Sequence, residues 1–123
     1  NDIACGAGRV LIMVAHEPKR FAEKVTYISS PGYLDGGNTR ERYGFVGGGP
    51  SAIITTLGIL RPNPDTKEFQ LDAYYPFSNI EEIQSNTDWE LKVCPRVHVV
   101  PEPTVDELKA LRKVDETGAL RKQ

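Results

Sequence analysis

The sequence predicts a mixed α/β layered domain, one sheet with helices packed against it. Three observations carry that expectation. Arg9–Ala15 (RVLIMVA) is a continuous apolar run of strand length, the pattern of a strand covered on both faces in a parallel or mixed sheet. Ala52–Leu60 (AIITTLGIL) is the strongest strand signal in the chain. The turn Arg61–Lys67 (RPNPDTK) joins it to the alternating Phe69–Tyr75 (FQLDAYY), which predicts an antiparallel hairpin with a long tip. Two capping boxes, Ser78–Glu81 and Thr104–Glu107, open the helices.

Length and composition bound the rest. The 123 residues make one domain, large enough to bury a core. The apolar fraction is 39%, and 11 Gly with 9 Pro indicate a loop-rich globular chain rather than a disordered one. A formal charge of −2 leaves no electrostatic footprint for nucleic acid or an anionic membrane. No apolar run approaches the roughly 18 residues that cross a bilayer. Cys5 and Cys94 form no metal-type or CxxC pattern, so two reduced cytosolic thiols are expected, and no metal site. The chain starts at Asn1, and its one methionine is Met13, inside an apolar run. The expectation is a processed or excised piece of a longer polypeptide.

Taken in order, Asn1–Gly8 (NDIACGAG) is small and Gly/Ala-rich, a turn feeding a helix or strand, with Asn1 and Asp2 as candidate caps. Cys5 among small residues reads as a small buried side chain. The strand Arg9–Ala15 is broken by His16-Glu17-Pro18, and Pro18 then starts a short helix, Lys19–Lys24, with Phe21 as its apolar contact. His16 stands where open α/β sheets bind ligands, but no acid or nucleophile pairs with it by spacing, and a surface turn histidine is expected. Val25–Ser29 (VTYIS) reads as a second strand and Ser30–Tyr33 (SPGY) as a sharp turn. A loop of about twenty residues follows, a length that in compact domains is uncommon and usually functional or mobile. Arg40 and Arg42 lie in it, with exposed ion pairing expected and an acidic ligand as the alternative.

Gly47-Gly48-Gly49-Pro50-Ser51 closes that loop and enters the strongest strand. Three glycines bare their N–H groups, let the chain visit φ > 0 and permit close approach of a ligand to the main chain, and Pro50 fixes the entry into the strand. The pattern is neither GxGxxG nor a P-loop, and a plain loop-to-strand connection is the competing reading. Gly58 marks a bulge in the strand that follows. The first capping box starts a helix reaching about Asn86 that buries Ile80 and Ile83; Glu90–Val93 is a short strand stopped by Cys94-Pro95, with Val97–Val100 extended beyond it. The second opens a helix with Leu108, Leu111 and Val114 on one face. Gly118 ends it, and 115–123 form a loose tail.

The order NDIA, VTYISSPGYLDG, GGGPSAIITTLGIL, the hairpin, and a capped helix ending NTDWEL resembles the family I CoA-transferases, most of all the C-terminal half of a glutaconate-type β subunit. The likeness covers the chain to about Leu91. It implies a NagB/RpiA/CoA-transferase-like α/β layered sandwich with a mixed sheet, here a partial domain over 1–123. It also implies a cytoplasmic enzyme whose partners are an α subunit and the N-terminal half of the β subunit. Its substrates would be an acyl-CoA and a carboxylic acid, with coenzyme A as substrate and no cofactor. In the family a glutamate in an S-E-N-G stretch becomes a glutamyl-CoA thioester, a task for a nucleophile that is also a good leaving group. Neither that glutamate nor the family's G-x-G-G-A run, which would lie just before Asn1, is on this chain; the catalytic set on it is empty.

What carries over by resemblance is positioning. Asn1 and Asp2 match the residues after the oxyanion glycines, Gly47, Gly48, Gly49, Pro50 and Ser51 a loop near the acyl-CoA cleft, and Ser30, Gly32 and Tyr33 a turn on the substrate side. Two alternatives stand beside CoA transfer: a same-fold acyl-CoA hydrolase or decarboxylase subunit, and a non-catalytic interaction module.

Overall fold

The structure is a computed structural model describing residues 2–119. One five-stranded sheet organises the chain, formed by β1 (Val10–Val14), β2 (Pro50–Thr55), β3 (Gly58–Pro62), β4 (Phe69–Tyr74) and β5 (Val93–Val99), lying side by side in sequence order. β1 runs parallel to β2 and β5 parallel to β4, while β3 is antiparallel to both its neighbours. The helices are α1 (Asp2–Gly6), the single turn α2 (Thr39–Arg42), α3 (Ile80–Ser85) and α4 (Val105–Val114).

The core forms where period-two burial on β3 and β4 meets α3. Leu60 faces Leu71 across the β3–β4 ladder, and both are completely buried with Ile83 of α3. Phe21 and Leu91 complete the cluster, with Ile53, Tyr74, Ile80 and Trp89 packed around it. Gly58 belongs to this packing, because a Cβ there would press on the Ala73 carbonyl and on Ile83. α4 carries the expected capping box, Thr104 Oγ1 accepting from Glu107 N at 3.2 Å and Glu107 Oε2 accepting from Thr104 N at 2.8 Å. The helix ends at Val114; Asp115 and Gly118 behind it are buried, Gly118 at φ +70°. The expected tail continues through 120–123, outside the described residues.

Several expectations are corrected. Ala52–Leu60 is two strands, because the Thr55 hydroxyl accepts the N–H groups of Leu57 and Gly58 at 3.1 and 2.9 Å and folds the chain back. Gly58 thus closes a turn, and the bulge lies one residue on, between Ile59 and Leu60. Lys19–Lys24 makes one turn and no helix. Asp88 N bonds to the Phe21 carbonyl at 2.9 Å and takes the acceptor that a continuing helix would need. Val25–Ser29 is no strand: it pairs with no strand of the sheet, and Val25, Tyr27 and Ile28 stand exposed. β5 passes through Pro95, since an outer strand at a slip in register asks no ladder N–H of it. The α3 cap is Asn79, accepting from Glu82 N at 2.8 Å, while Ser78 donates to the carbonyls of Leu57 and Tyr75.

β1 departs most from expectation. It is an outer strand whose apolar side chains are uncovered, Met13 being 81% exposed and Leu11 and Ile12 partly so. A sheet edge of this composition is apolar surface awaiting a neighbour.

Core and edge should therefore respond differently to truncation. Leu71→Ala is expected to destabilise by about 3 kcal/mol in urea unfolding. Met13→Ala should change stability by no more than about 0.5 kcal/mol. Equal losses would place the core elsewhere.

Candidate functional site

The candidate residues converge at the amino ends of β1 and β2, around a side chain that the sequence pattern assigns to the surface. Arg40, on α2, is 6% exposed. Its Nη1 donates to the Gly32 carbonyl at 2.8 Å, and its Nη2 donates to Ala4, Cys5 and Gly47 at 3.0, 3.3 and 3.1 Å. Nε reaches the Gly47 carbonyl as well, at 3.3 Å, and the Phe45 ring lies 5.1 Å from the guanidinium carbon. Three separate segments meet on one guanidinium: α1, the Gly32 turn and the glycine loop. Arginine suits the task, carrying five N–H donors in a rigid plane. Ala4 and Cys5 present the orphan carbonyls of a helix end, which a cation stabilises. The exposed ion pair expected of Arg40 is not observed; among the described residues no carboxylate pairs with it.

The glycine loop is built against this centre. Gly47 N donates to the Cys5 carbonyl at 2.9 Å, and a Cβ on Gly47 would collide with the carbonyls of Ala7 and Cys5. Gly48 lies against Gly8, and Gly49 adopts φ +78° with its backbone flat on the Arg40 side chain. Gly49 O accepts from Val10 N at 3.1 Å and Ser51 Oγ donates to Val10 O at 3.3 Å, so the loop also sets the start of β1. Tyr33 ties the turn to the loop, its hydroxyl donating to Pro50 O at 2.8 Å, with Gly48 O at 3.2 Å. Burial pushes the Tyr33 phenol above its ordinary pKa, with the Arg40 charge opposing, which keeps it a donor.

Two small cavities lie among these segments. One of about 260 Å³ is lined by Ala4, Val10, Ser30, Gly32 and Pro50 among others. The other, about 170 Å³, is bordered by Tyr33, Asn38, Arg40, Gly47, Gly48 and Lys67. Asp2 begins α1 and is exposed, as is Ser30, whereas Asn1 lies outside the described residues. Among the described residues no Cys, His, Asp and Glu group is arranged to hold a metal, and no buried side-chain polar atom lacks a partner. A larger hollow, about 720 Å³, lies elsewhere, between Tyr75–Phe77 and Val100–Leu108, and holds no candidate residue.

His16, at the opposite ends of the strands, is buried and not a surface residue. Its ring stacks on Phe21 at 4.0 Å between centroids. Nε2 meets Thr87 Oγ1 at 2.9 Å, and Thr87 donates its own proton to Ile83 O, so the ring nitrogen is the donor in that pair. Nδ1 faces Thr55 Oγ1 at 3.1 Å. Burial lowers the pKa of this imidazole below 6.5. The residue is a neutral clamp between β1, the β2–β3 turn and α3.

The sequence pattern of a family described as Coenzyme A transferase matches residues 1–86. The B subunit of glutaconate CoA-transferase from Acidaminococcus fermentans is 40% identical over 120 residues, 96% of this chain and 44% of that protein. The B subunit of 3-oxoadipate CoA-transferase from Pseudomonas knackmussii is 35% identical over 114 residues, 93% of this chain and again 44% of the relative. The crystal structure of glutaconate coenzyme A-transferase from Acidaminococcus fermentans superposes with a TM-score of 0.84 at 37% identity, covering 95% of this chain and 45% of that one. The chain thus spans a little under half the length of the curated relatives it matches.

Two measurements check this geometry. Gly47→Ala should destabilise by about 1–3 kcal/mol in urea unfolding through its clash with Ala7 and Cys5, while Gly6→Ala, which meets no atom within 4 Å, should stay within about 0.5 kcal/mol of the parent. For His16 the folded pKa lies below the unfolded value of 6.5, so the unfolded chain binds the extra proton as pH falls through that value. Stability is complete above pH 6.5 and declines on acidification toward the folded pKa. His16→Gln should flatten that acid limb relative to the parent; parallel profiles would remove His16 from it.

Proposed function

This chain belongs to the coenzyme A transferase family, and we propose on that premise that it is part of the β-type subunit of an acyl-CoA:carboxylate CoA-transferase of glutaconate or 3-oxoacid type. The observation that carries the proposal is the 40% identity to the B subunit of a glutaconate CoA-transferase, held over 96% of the chain. Chemically, a carboxylate nucleophile outside these 123 residues attacks the acyl-CoA carbonyl and expels CoA thiolate, leaving a mixed anhydride. The thiolate then attacks the enzyme's side of that anhydride, giving a glutamyl-CoA thioester and the free acid. An acceptor carboxylate reverses both steps and leaves with CoA. Coenzyme A is thus a substrate, and the reaction asks for no other cofactor.

In this reading the chain supplies one wall of the site. α1, the Ser30–Tyr33 turn and Gly47–Ser51 form that wall, and the cavities of about 260 and 170 Å³ in it are smaller than a typical ligand pocket of about 300–1,000 Å³. An acyl-CoA therefore needs surface from other polypeptide. The uncovered side chains of β1, with Tyr27 at 78% exposure and Ile3 and Ile28 also bare, are where such polypeptide would pack. We assign those partners as the remaining part of the β-type subunit and an α subunit, in keeping with relatives that are themselves single subunits of larger enzymes. No helix among the described residues is long and apolar enough to cross a membrane; with Cys5 and Cys94 free, we place the assembly in the cytoplasm.

The test is the complete α/β complex given acyl-CoA and an isotopically labelled carboxylic acid. Label should appear in acyl-CoA, and borohydride should inactivate the complex only after acyl-CoA is added, by reducing the enzyme thioester. Release of free CoA without labelled acyl-CoA would replace transfer with the hydrolase reading, and release of CO2 with the CoA thioester retained would replace it with the decarboxylase reading. An assembled complex inert toward every acyl-CoA tried would leave the interaction module.

A further inference from the structure

Arg40 is the one buried Lys or Arg among the described residues, and its charge is met by carbonyl dipoles rather than by an acid. Burying a cation this way is costly unless every donor is engaged. Nothing in the core cluster of Phe21, Leu60, Leu71, Ile83 and Leu91 touches it through these bonds. The fold therefore commits a buried guanidinium to holding loops that lie away from its hydrophobic core.

We propose that Arg40 is a positioning residue of the substrate-side wall: by gathering the Ala4, Cys5, Gly32 and Gly47 carbonyls on one plane, it fixes α1, the Gly32 turn and the glycine loop relative to one another. Both cavities take their walls from the segments that Arg40 joins. Ala4 and Gly32 line the larger one, Tyr33 and Gly47 the smaller. Gly49 completes the seat, because a Cβ there would come within 3.0 Å of the Arg40 Cδ and Nε. Geometry is the contribution, since all three guanidinium nitrogens donate to main-chain carbonyls. The inference rests on the CoA-transferase reading of this wall and deepens it. A substrate held against segments that shift by an ångström reacts about a hundredfold more slowly.

Lysine keeps the charge but has no planar fork to span three segments, so Arg40→Lys in the complete α/β complex is the informative variant. The expectation is a fall in kcat of about a hundredfold, with KM for acyl-CoA and acid changed by less than about threefold and the thermal midpoint of the sheet-bearing domain close to the parent's. Arg40→Ala leaves a guanidinium-sized hole, and millimolar guanidinium should restore part of kcat where ammonium at equal ionic strength does not. Hydrogen exchange separates this inference from the functional reading. If the parent complex transfers no CoA, that reading has failed; Arg40 still stands as the organiser when amides of 2–8 and 30–49 exchange faster in Arg40→Lys while those of β3 and β4 do not. Parent-like kcat and exchange in Arg40→Lys would overturn the proposal. So would a loss of protection spread evenly over the sheet, which would make Arg40 an ordinary element of global stability.

Discussion

The Thr55 hydroxyl is the point on which the sheet depends. It accepts the N–H groups of Leu57 and Gly58, meets the Gly58 carbonyl at 2.9 Å and faces the ring of His16. By turning the chain there, it inserts antiparallel β3 between two strands that run in one direction, and so brings Leu60 opposite Leu71. His16 extends the same system to Thr87 at the end of α3, and its ring carries Phe21 into the core. A short polar chain thus fixes the register of the apolar cluster beside it. Satisfied polar networks of this kind specify a unique core, and an unsatisfied member would cost more than the bonds return.

A second polar centre serves the other end of the strands. Around Arg40 the packing is largely main chain: Gly47 lies on Ala7 and Gly48 on Gly8 through their carbonyls, while Gly49 lies on the arginine stem and the Phe45 ring faces the guanidinium. Glycines allow that approach, and it leaves main-chain carbonyls that only a multiple donor can satisfy. The two centres divide the molecule into a region held by side-chain burial and a region held by hydrogen bonds. The second is the one that borders the small cavities, consistent with binding loops being drawn from parts of a fold with few apolar contacts.

The exposed apolar residues follow from the same layout. β1 pairs with β2 on one edge, and its other edge and much of its surface are bare, Met13 most of all. The exposed Val25, Tyr27 and Ile28 run has strand composition without a strand to pair with. Both features are apolar surface of the kind that marks interaction sites, in a chain that covers 44% of its relatives' length.

The sequence by itself determined the elements whose signals are local. The α4 capping box, the β3–β4 hairpin with its Asn63 turn, and the apolar run of β1 each depend on residues a few positions apart. The ordered motifs also sufficed to identify the family, and the glycine loop stood out because three adjacent glycines have few uses. What only the tertiary structure decided is every feature whose partner is distant in sequence. Thr55 could be read as one more β-branched strand residue until its hydroxyl had somewhere to fold back to. Val25–Ser29 had strand propensity, but propensity alone makes no strand where no neighbour's ladder is engaged. Arg40 looked solvated because its acceptors are carbonyls 36, 35, 8 and 7 positions away, and a carbonyl, being common to every residue, leaves no mark in a sequence.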